Sequence, residues 1–568
     1  MTTYKIKIYD RNCLKFEVVE AYSLRIIPCP KGLDPVKEKL CNEDIFQFVD
    51  NNIKILHSSA RCMCIIPGVL VLNNSKTYGK HKNKFLYKCI PDDRRLPVFL
   101  IPYKINIGFS KNNINKYVVF KFKMWKEKHP IGVLVQTLGD VTHLDNFYEY
   151  QLYCKSLYAS IQNITKKTMS KLKEKTSDEY IESIKTTCNL NDYRESRHIF
   201  SIDPVESKDF DDAFDIENIS DSKTRVSIYI SNVSFWMDAM DLWDSFSSRI
   251  SSIYLPDRKR PMLPTVLSDA LCSLTQGDIR FALELCLDID NNTGEITKYE
   301  YNNAIIKVKN NLRYDTSQQK NYSSYKDLLI LVKKMNKYKK YMETVDSSHD
   351  LVAYLMITMN YISALKLQSY KIGIYRSAKF NSSFSPPDDI PKKIQKFLKN
   401  WNSAGGKYSK YKDMDSHDML ELDSYVHITS PIRRLVDLLN IMVLQEKEGL
   451  YQMSEKARKF YNYWTNDSSL KYINTTMRSI RKVQNDCSLL KICSEDTTKL
   501  EKVYDGFIFD KIVRNDALFQ YMVYLSELNM VNRFTCRHDK KNSSSQKFKI
   551  YMFMDENKLK QKIRVALC

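Results

Sequence analysis

The sequence lacks any apolar run of about eighteen residues, the length that a helix needs to cross a bilayer. Its first twenty residues, MTTYKIKIYDRNCLKFEVVE, alternate polar and apolar side chains as a strand does, without the apolar centre of a signal peptide. We therefore expect neither a membrane span nor a secretory leader. These absences predict a protein that works inside the cell, in the cytoplasm or the nucleus.

Cysteine pairs at metal-binding spacing are also missing. The fourteen cysteines are scattered, and the tightest pair, Cys62 and Cys64, has no second pair at a spacing typical of zinc sites. We interpret them as reduced thiols. Glycine is scarce, at 13 residues, and no phosphate-binding glycine loop, nucleophile elbow or Ser-His-Asp order is visible. Nucleotide kinases and hydrolases with a covalent intermediate are therefore disfavoured.

What the sequence has in excess is positive charge. Lysine and arginine number 88 against 67 aspartates and glutamates, which gives a net charge of +21. This excess favours a polyanionic partner, because neutralising phosphates releases counterions, although it does not separate nucleic acid from an anionic membrane surface. With 568 residues, of which 43% are hydrophobic, the chain is too long for one core and is predicted to form several domains.

Segments with strand-like alternation precede a longer central region. Residues 1–83 show short strands, and residues 84–161 hold four strand-like segments at short spacing, which is typical of a small barrel. Residues 162–195 are predicted to be polar helices that link this barrel to the next domain. Trp125 follows one strand beside basic residues and either faces RNA or fills the barrel core; we count it among the RNA-binding candidates.

The central region opens with SIDPVESKDFDDAFDI, from Ser201 to Ile216. Its clustered carboxylates repel one another, and burying them without cations costs several kcal/mol each. Apolar residues are interleaved with them as on a strand edge inside a domain, which argues against a solvated acidic loop. Hard oxygen ligands on such an edge suit Mg²⁺ or Mn²⁺. We predict a metal site at Asp203, Asp209, Asp211 and Asp212.

A second polar feature, YVHITSPIRRLVDLLNIMVLQ, runs from Tyr425 to Gln445. The pattern predicts an apolar helix whose first turn carries Arg433 and Arg434. Arginine is disfavoured at the positive end of a helix, so we interpret the pair as a phosphate site; two solvated arginines are the alternative. Together with the aspartates, the pair indicates phosphoryl chemistry on nucleic acid, in which two divalent ions activate a water and stabilise the leaving oxygen.

Four blocks follow one another in the order of a known family. They are Asp203-Pro204 with Asp209, Asp211 and Asp212; Tyr254-Leu255-Pro256 with Pro261-Met262-Leu263-Pro264 and Leu271-Cys272-Ser273-Leu274; Leu312-Arg313-Tyr314-Asp315; and Thr429-Ser430-Pro431-Ile432-Arg433-Arg434. The chain resembles, at these blocks, the ribonuclease II/R (RNB) family of processive 3′→5′ exoribonucleases. Asp92-Asp93-Arg94-Arg95-Leu96-Pro97 looks most like the second cold-shock barrel of the eukaryotic exosome-nuclease branch, and no PIN module fits in the first 80 residues.

The resemblance implies an α+β, multidomain fold. An RNB catalytic domain, a β-sheet with surrounding helices, is expected at residues 196–495. Small β-barrels are expected on either side of it in the chain: at most a reduced cold-shock-like barrel at 1–83, a cold-shock or OB-like barrel at 84–161, and an S1-like barrel at 500–568.

The resemblance also implies roles for individual residues. The aspartates would hold Mg²⁺, or Mn²⁺, and position water, so that nucleoside 5′-monophosphates leave the 3′ end of single-stranded RNA. Arg433, or Arg434 beside it, would grip the scissile phosphate. Tyr254 would stack near the scissile nucleotide and Tyr314 would clamp the terminal bases; taken alone, both tyrosines suit a half-buried core. We expect a monomer that binds no membrane, and exosome-like partners are left open.

Several polar residues of the family are replaced here. The affected positions are Tyr229-Ile230-Ser231-Asn232 for His-Ile-Ala-Asp, Ala353-Tyr354 for a glutamate pair, Leu435 for tyrosine, Ile441-Met442 for His-Arg, and Gln484 for glutamate. Such losses around a metal site typically cost about 10–100-fold in affinity or activity, which predicts a slower or differently tuned enzyme. The alternatives are a protein that holds RNA without cutting it and a DNA-directed nuclease; the complete set of aspartates favours an enzyme.

Overall fold

The computed structural model describes residues 2–30, 32–49, 52–105, 113–380, 385–402 and 406–568. It divides into two compact units, one made of Met1–Tyr158, Leu255–Arg258 and Arg481–Cys568, the other of Ala159–Tyr254 and Lys259–Ile480. Across these described ranges, no helix combines the length and the apolarity needed to span a membrane.

The first unit begins with an antiparallel sheet that has its own small core. Its strands are β1 (Tyr4–Ile8), β2 (Phe16–Glu20), β3 (Ile26–Ile27), β4 (Ile45–Val49) and β5 (Asn52–His57), in the order β3-β2-β1-β4-β5. Alternating side chains such as Ile6, Ile8 and Val18 fill this core together with Phe46. The short helix α1 (Ser59–Cys62) follows. That this sheet is a reduced cold-shock barrel stays a prediction.

The next strands form a closed barrel. They are β6 (Ile66–Leu70), β7 (Lys80–His81), β8 (Lys84–Pro91), β9 (Phe99–Tyr103), β10 (Lys116–Met124) and β11 (Ile131–Asp140), and helix α2 (Leu144–Cys154) follows. Because β6 pairs with both β10 and β8, the ring β6-β10-β11-β9-β8 is complete. The predicted boundary at residue 84 is therefore too late.

Trp125 lies in the core of this barrel. Only 8% of its surface is exposed, and it packs with Phe99 and Phe120. The prediction that Trp125 contacts RNA is therefore wrong. Burial of a large apolar ring fills the small barrel, which is the alternative that the sequence had left open.

Two helices open the second unit, α3 (Gln162–Glu174) and α4 (Ser177–Thr187). They were predicted to be a linker. Instead, Ile164 of α3 and Tyr180, Ile181 and Ile184 of α4 belong to the main hydrophobic core of the unit. One apolar stripe on each mostly polar helix is enough to anchor it.

A seven-stranded sheet is the centre of this unit. Its strands are β12 (Asn191–Asp192), β13 (Phe200–Asp203), β14 (Asp212–Ser220), β15 (Lys223–Ser231), β18 (Ile279–Asp290), β19 (Ile296–Lys307) and β20 (Asn310–Arg313). Their order is β12-β19-β18-β15-β14-β13-β20. A short hairpin, β16 (Ile253–Tyr254) with β17 (Lys259–Arg260), and a π-helical segment, Val266–Leu271, lie between β15 and β18 in the chain.

Helices alternate with and follow these strands in the chain, and several of them share the core of the sheet. They are α5 (Val233–Ala239), α6 (Ser317–Asn321), α7 (Ser323–Tyr338), α8 (Ser348–Ser369), α9 (Lys392–Trp401), α10 (Leu435–Lys447), α11 (Glu455–Thr465) and α12 (Asp467–Glu495), with a hairpin of β21 (Ile374–Ser377) and β22 (Lys407–Lys410). Val226, Ile228 and Ile230 of β15 share a core with α8 and α10, which are apolar along most of their length.

The rest of the first unit is a C-terminal barrel. After α13 (Thr498–Glu501) come β23 (Tyr504–Val513), β24 (Phe519–Leu525), β25 (Met530–Cys536), β26 (Ser544–Asp555) and β27 (Lys560–Leu567), in the order β25-β24-β23-β26-β27. The Asn532 side chain on β25 donates a hydrogen bond to the Ile563 carbonyl on β27 at 3.3 Å, so the two edge strands meet. The predicted α+β, multidomain fold with small barrels is confirmed.

Candidate metal and phosphate site

The edge of the central sheet brings the first aspartate next to a predicted stacking residue. Strands β13 and β20 run parallel, with Asp203 opposite Arg313. Both strands end there, and the Tyr314 N–H donates a hydrogen bond to the Asp203 carbonyl at 3.1 Å. Because parallel strands place their carboxyl ends at one edge, Asp203 and Tyr314 become neighbours although they are far apart in sequence.

The loop between Asp203 and Asp211 is held by Ser273, which lies in the second of the four sequence blocks. The Ser273 hydroxyl accepts a hydrogen bond from the Phe210 N–H at 2.9 Å and donates one to the Lys208 carbonyl at 2.8 Å. The Arg313 guanidinium donates to the Pro204 carbonyl at 2.9 Å. Ser273 and Arg313 therefore position the loop that carries the aspartates, a role that the sequence patterns had not indicated.

Asp211 is tied to the arginine turn. Its Oδ1 accepts a hydrogen bond from the Ile432 N–H at 2.9 Å, and its Oδ2 accepts one from Arg433 Nε at 3.0 Å. The side chain of Asp211 is 3% exposed and that of Arg433 is 41% exposed. Burial raises the pKa of Asp211 to about 7, against the opposing effect of the arginine charge. Arg433 thus faces both a carboxylate and solvent.

The two arginines lie before the helix, not in its first turn. The Arg433 and Arg434 N–H groups both donate to the Ser430 carbonyl, and α10 begins only at Leu435. The Arg434 guanidinium donates to Asp437 Oδ1 at 2.8 Å, and Asp437 is fully buried. The prediction of a first-turn pair is wrong, because the Thr-Ser-Pro turn extends further than expected. That Arg434 contacts RNA stays a prediction. Its guanidinium already binds Asp437.

Asp209 is held from two sides. The Tyr254 hydroxyl donates to its Oδ2 at 3.2 Å, and Lys259 Nζ lies 3.1 Å from its Oδ1. Tyr254 is 41% exposed, so its ring remains available to a ligand. Lys259 was not predicted as a site residue, and its position opposite Tyr254 in the β16–β17 hairpin is what brings it to Asp209.

The other two aspartates have buried oxygens without partners. The Oδ2 atoms of both Asp203 and Asp212 are inaccessible to solvent and make no hydrogen bond. Burial, followed by repulsion from Asp203 and Asp211, raises the pKa of Asp212 well above its usual range. Burial also raises the pKa of Asp203, to about 6. Unpartnered carboxylate oxygens in such a place fit a cation.

The four aspartates form two pairs, which differ in whether a buried carboxylate oxygen is left without a partner. Among the residues that the structure describes, no three His, Cys, Asp or Glu side chains form a ready metal-binding group. Mg²⁺ commonly uses only one or two carboxylates and completes its shell with water and substrate phosphate. Asp203 and Asp212 therefore fit such an ion directly, whereas Asp209 and Asp211 already face Lys259 and Arg433. A shell that includes all four predicted ligands stays a prediction.

An aromatic pair lies beside Asp203. The Tyr314 and His349 rings stack with centroids 3.8 Å apart and planes 18° apart. Tyr314 belongs to one of the sequence blocks, whereas His349, in the first turn of α8, belongs to no motif and was not predicted. Two stacked flat rings at a half-exposed position offer a surface for a nucleobase.

The departures from the family pattern lie mostly in packed surroundings. Leu435, Ile441 and Met442 are completely buried among apolar residues. Ser231 Oγ donates to the Cys272 carbonyl at 2.6 Å, and Asn232 accepts a hydrogen bond from Ser234. Apolar packing and neutral hydrogen bonds have therefore taken the place of several polar or charged side chains, and the site has fewer titratable supports than the family pattern predicts.

Residues 190–324 and 318–447 match the RNB domain family, and residues 86–149 match the Dis3-like cold-shock domain 2 (CSD2). The chain therefore contains an RNB domain. The second match agrees with the predicted likeness of the barrel to the eukaryotic exosome-nuclease branch. Both domain matches thus agree with the resemblance seen in the sequence blocks.

Known proteins show how far the RNB likeness extends. Ribonuclease R of Thermotoga maritima is 32% identical over 140 residues, which are 23% of this chain and 20% of that protein. Mycoplasma genitalium RNase R, solved with ribose methylated single-stranded RNA, has a TM-score of 0.69 at 16% identity, over 99% of this chain and 100% of its own. Yeast Ssd1, described as a pseudonuclease, has a TM-score of 0.57 at 13% identity, over 94% and 78%. The structural matches share the fold of this RNB protein.

Proposed function

We propose that this RNB protein is a Mg²⁺-dependent, processive 3′→5′ exoribonuclease that releases nucleoside 5′-monophosphates from single-stranded RNA. The observation that carries the proposal is the pair of buried, unpartnered oxygens on Asp203 and Asp212 beside the Arg433–Asp211 ion pair. An RNA-binding surface alone needs no such crowding of carboxylates. We further propose that it acts as a monomer in the cytoplasm or the nucleus.

A divalent ion would be held by Asp203 and Asp212, where it would supply an activated water and neutralise charge on the phosphate. The chain prepares this position by excluding water from both Oδ2 atoms. It also keeps both carboxylates on fixed backbone, since Asp203 ends β13 and Asp212 begins β14. Little rearrangement is then needed when the ion and the RNA arrive.

Arg433 is the group best placed to contact the scissile phosphate. Its Nε is held by Asp211 and one terminal nitrogen by Ser430 Oγ at 2.8 Å, while the side chain stays 41% exposed. A guanidinium fixed in this way can donate to a phosphate oxygen without losing further side-chain freedom. It would neutralise the charge that develops as the phosphodiester bond breaks.

The aromatic residues suit RNA of any sequence. Tyr254 has its hydroxyl fixed on Asp209 and its ring half-exposed, and Tyr314 stacks with His349. Base stacking contributes about 1–3 kcal/mol per base and does not depend on base identity. Such contacts let a strand advance one nucleotide at a time, which is what a processive enzyme requires.

The second candidate is a protein that binds RNA without cutting it. The replacement of a tyrosine by Leu435 and of a His-Arg pair by Ile441 and Met442 favours this function, and so does the likeness to the pseudonuclease Ssd1. The four aspartates favour cleavage, because RNA binding alone does not require them.

Incubation with 5′-labelled single-stranded RNA and Mg²⁺ separates these functions. We expect a ladder of products shortened from the 3′ end, and loss of the ladder in the Asp211→Asn variant. RNA that is retained at full length would support the binding protein and overturn the exoribonuclease. A matched deoxyribose strand tests the third alternative, since 2′-hydroxyl contacts distinguish RNA from DNA.

A further inference from the structure

Lys259 lies between two carboxylates at the site. Its Nζ is 3.1 Å from Asp209 Oδ1 and 2.9 Å from Asp269 Oδ1. The side chain of Lys259 is 21% exposed and that of Asp209 is 9% exposed. Ion pairs as shielded as this one keep their geometry better than pairs on an open surface.

The hairpin geometry explains why lysine and tyrosine reach the same carboxylate. Tyr254 of β16 is directly opposite Lys259 of β17. Directly opposite side chains on an antiparallel pair lie close together on one face. Lys259 therefore takes Oδ1 of Asp209 while Tyr254 donates to Oδ2 at 3.2 Å. Both oxygens of this aspartate are engaged.

Asp203 and Asp212 differ in this respect, because each keeps a buried oxygen without a partner. A metal ion that recruited Asp209 would have to displace the ammonium of Lys259 or bind beside it. Two cations sharing one carboxylate oxygen repel each other strongly in a site shielded from water.

We propose that Lys259 is a positioning residue that keeps Asp209 out of the metal's ligand set, so that the protein binds one divalent ion, at Asp203 and Asp212. This inference rests on the metal site of the proposed function and concerns the number of ions that the site binds. Asp209 then serves as the acceptor that fixes the Tyr254 ring, and Lys259 replaces the positive charge of a second ion.

The test is a titration of the full chain with Mn²⁺, followed by calorimetry for affinity and by electron paramagnetic resonance for the number of bound ions. Wild type should bind one ion. Lys259→Met should bind a second ion, or bind the first roughly tenfold more tightly, because a further carboxylate becomes available. Lys259→Arg keeps the charge and should behave as wild type.

Two further variants make the result specific. Adding Asp209→Asn to Lys259→Met should abolish the gain, because the released carboxylate is removed. If Lys259→Met does not fold, Lys259→Gln removes the same charge with a polar side chain. A thermal unfolding curve for each variant confirms that the titrated protein is folded.

The outcomes separate this inference from the exoribonuclease proposal. Unchanged stoichiometry and affinity in folded Lys259→Met and Lys259→Gln would overturn the inference, even if wild type binds metal and cuts RNA. Binding of no ion by wild type would overturn both the proposed metal site and the inference that one ion is bound there. Two ions bound by wild type would overturn the inference alone.

Discussion

Arg433 offers the sharpest mutational test of the site. Its Nε lies 3.0 Å from Asp211 Oδ2, and the Asp211 side chain is 3% exposed. Coulomb's law at an effective dielectric constant of about 20 gives about 5 kcal/mol for unit charges at this distance. Because Arg433 is 41% exposed, solvent screens the pair, and we take about 2–3 kcal/mol as the coupling.

In the Arg433→Met variant this coupling is lost. Burial already raises the pKa of Asp211 to about 7, and the arginine charge is what opposes a larger rise. Without that charge Asp211 becomes protonated at neutral pH. Removing one preorganised donor to developing negative charge also costs about 10²–10³-fold in rate. We expect a loss of at least this size in single-turnover shortening of 5′-labelled RNA.

Two neighbouring variants serve as controls for Arg433→Met. Arg433→Lys keeps the charge but loses the two directed donors, and we expect an intermediate rate. Arg434→Met removes the partner of the buried Asp437, so its main effect should be a lower unfolding temperature. An Arg433→Met protein that shortens RNA within about threefold of the wild-type rate would refute the assignment of Arg433 to the phosphate.

Three other predictions concern stability, metal and RNA. Asp92→Asn removes the carboxylate that lies 2.8 Å from the buried Lys560 ammonium, and it should lower the free energy of unfolding, measured with urea, by about 3 kcal/mol. Burial alone would raise the pKa of Asp92, but the Lys560 charge lowers it below its usual value. The contribution of this pair to stability is therefore present at neutral pH and lost as the pH falls below about 4, where wild type and Asp92→Asn should reach the same free energy of unfolding. Mn²⁺ affinity, measured by calorimetry, should fall from pH 8 to pH 6. Burial raises the pKa of Asp203 and Asp212, so these carboxyl groups must release protons before they can bind the ion. Equal affinity at both pH values would contradict this. Tyr314→Ala should weaken RNA binding about tenfold or more in fluorescence anisotropy while Tyr314→Phe keeps it, and equal affinities would exclude stacking there.

The aspartate cluster was accessible from the sequence because its spacing is local. Asp203, Asp209, Asp211 and Asp212 fall within one strand-loop-strand segment, so alternation with apolar residues already placed them on a strand edge. Their partners could not be read in the same way. The contact of Asp211 with Ile432 and Arg433 crosses more than two hundred residues, and only the folded chain brings them together.

The errors have local physical causes. Trp125 is flanked by basic residues, but the small barrel needs its ring for the core. The arginines were assigned to the first turn of a helix because the apolar periodicity of α10 extends back to them. In the structure their N–H groups close a turn on Ser430, and this contact is not visible in periodicity. The apolar stripe of α4 was likewise too narrow to be recognised as core.

Residues that position others were the hardest to predict. Ser273 holds the aspartate loop and Lys259 holds Asp209. Both lie within the second sequence block, but the identity of a residue does not reveal which atom its side chain contacts. His349 carries no motif and is recognised only by the ring that it faces. Side chains that act through another residue leave little trace in a single sequence.

The proposed hydrolysis of RNA from its 3′ end can be tested on the first product that leaves the RNA. The most direct measurement uses an RNA labelled at its 3′-terminal nucleotide, with Mg²⁺ present, and identifies the first labelled product by chromatography. We expect wild type to release the labelled nucleoside 5′-monophosphate immediately and the Asp212→Asn variant to release none. Label that stays on full-length, protein-bound RNA would contradict it.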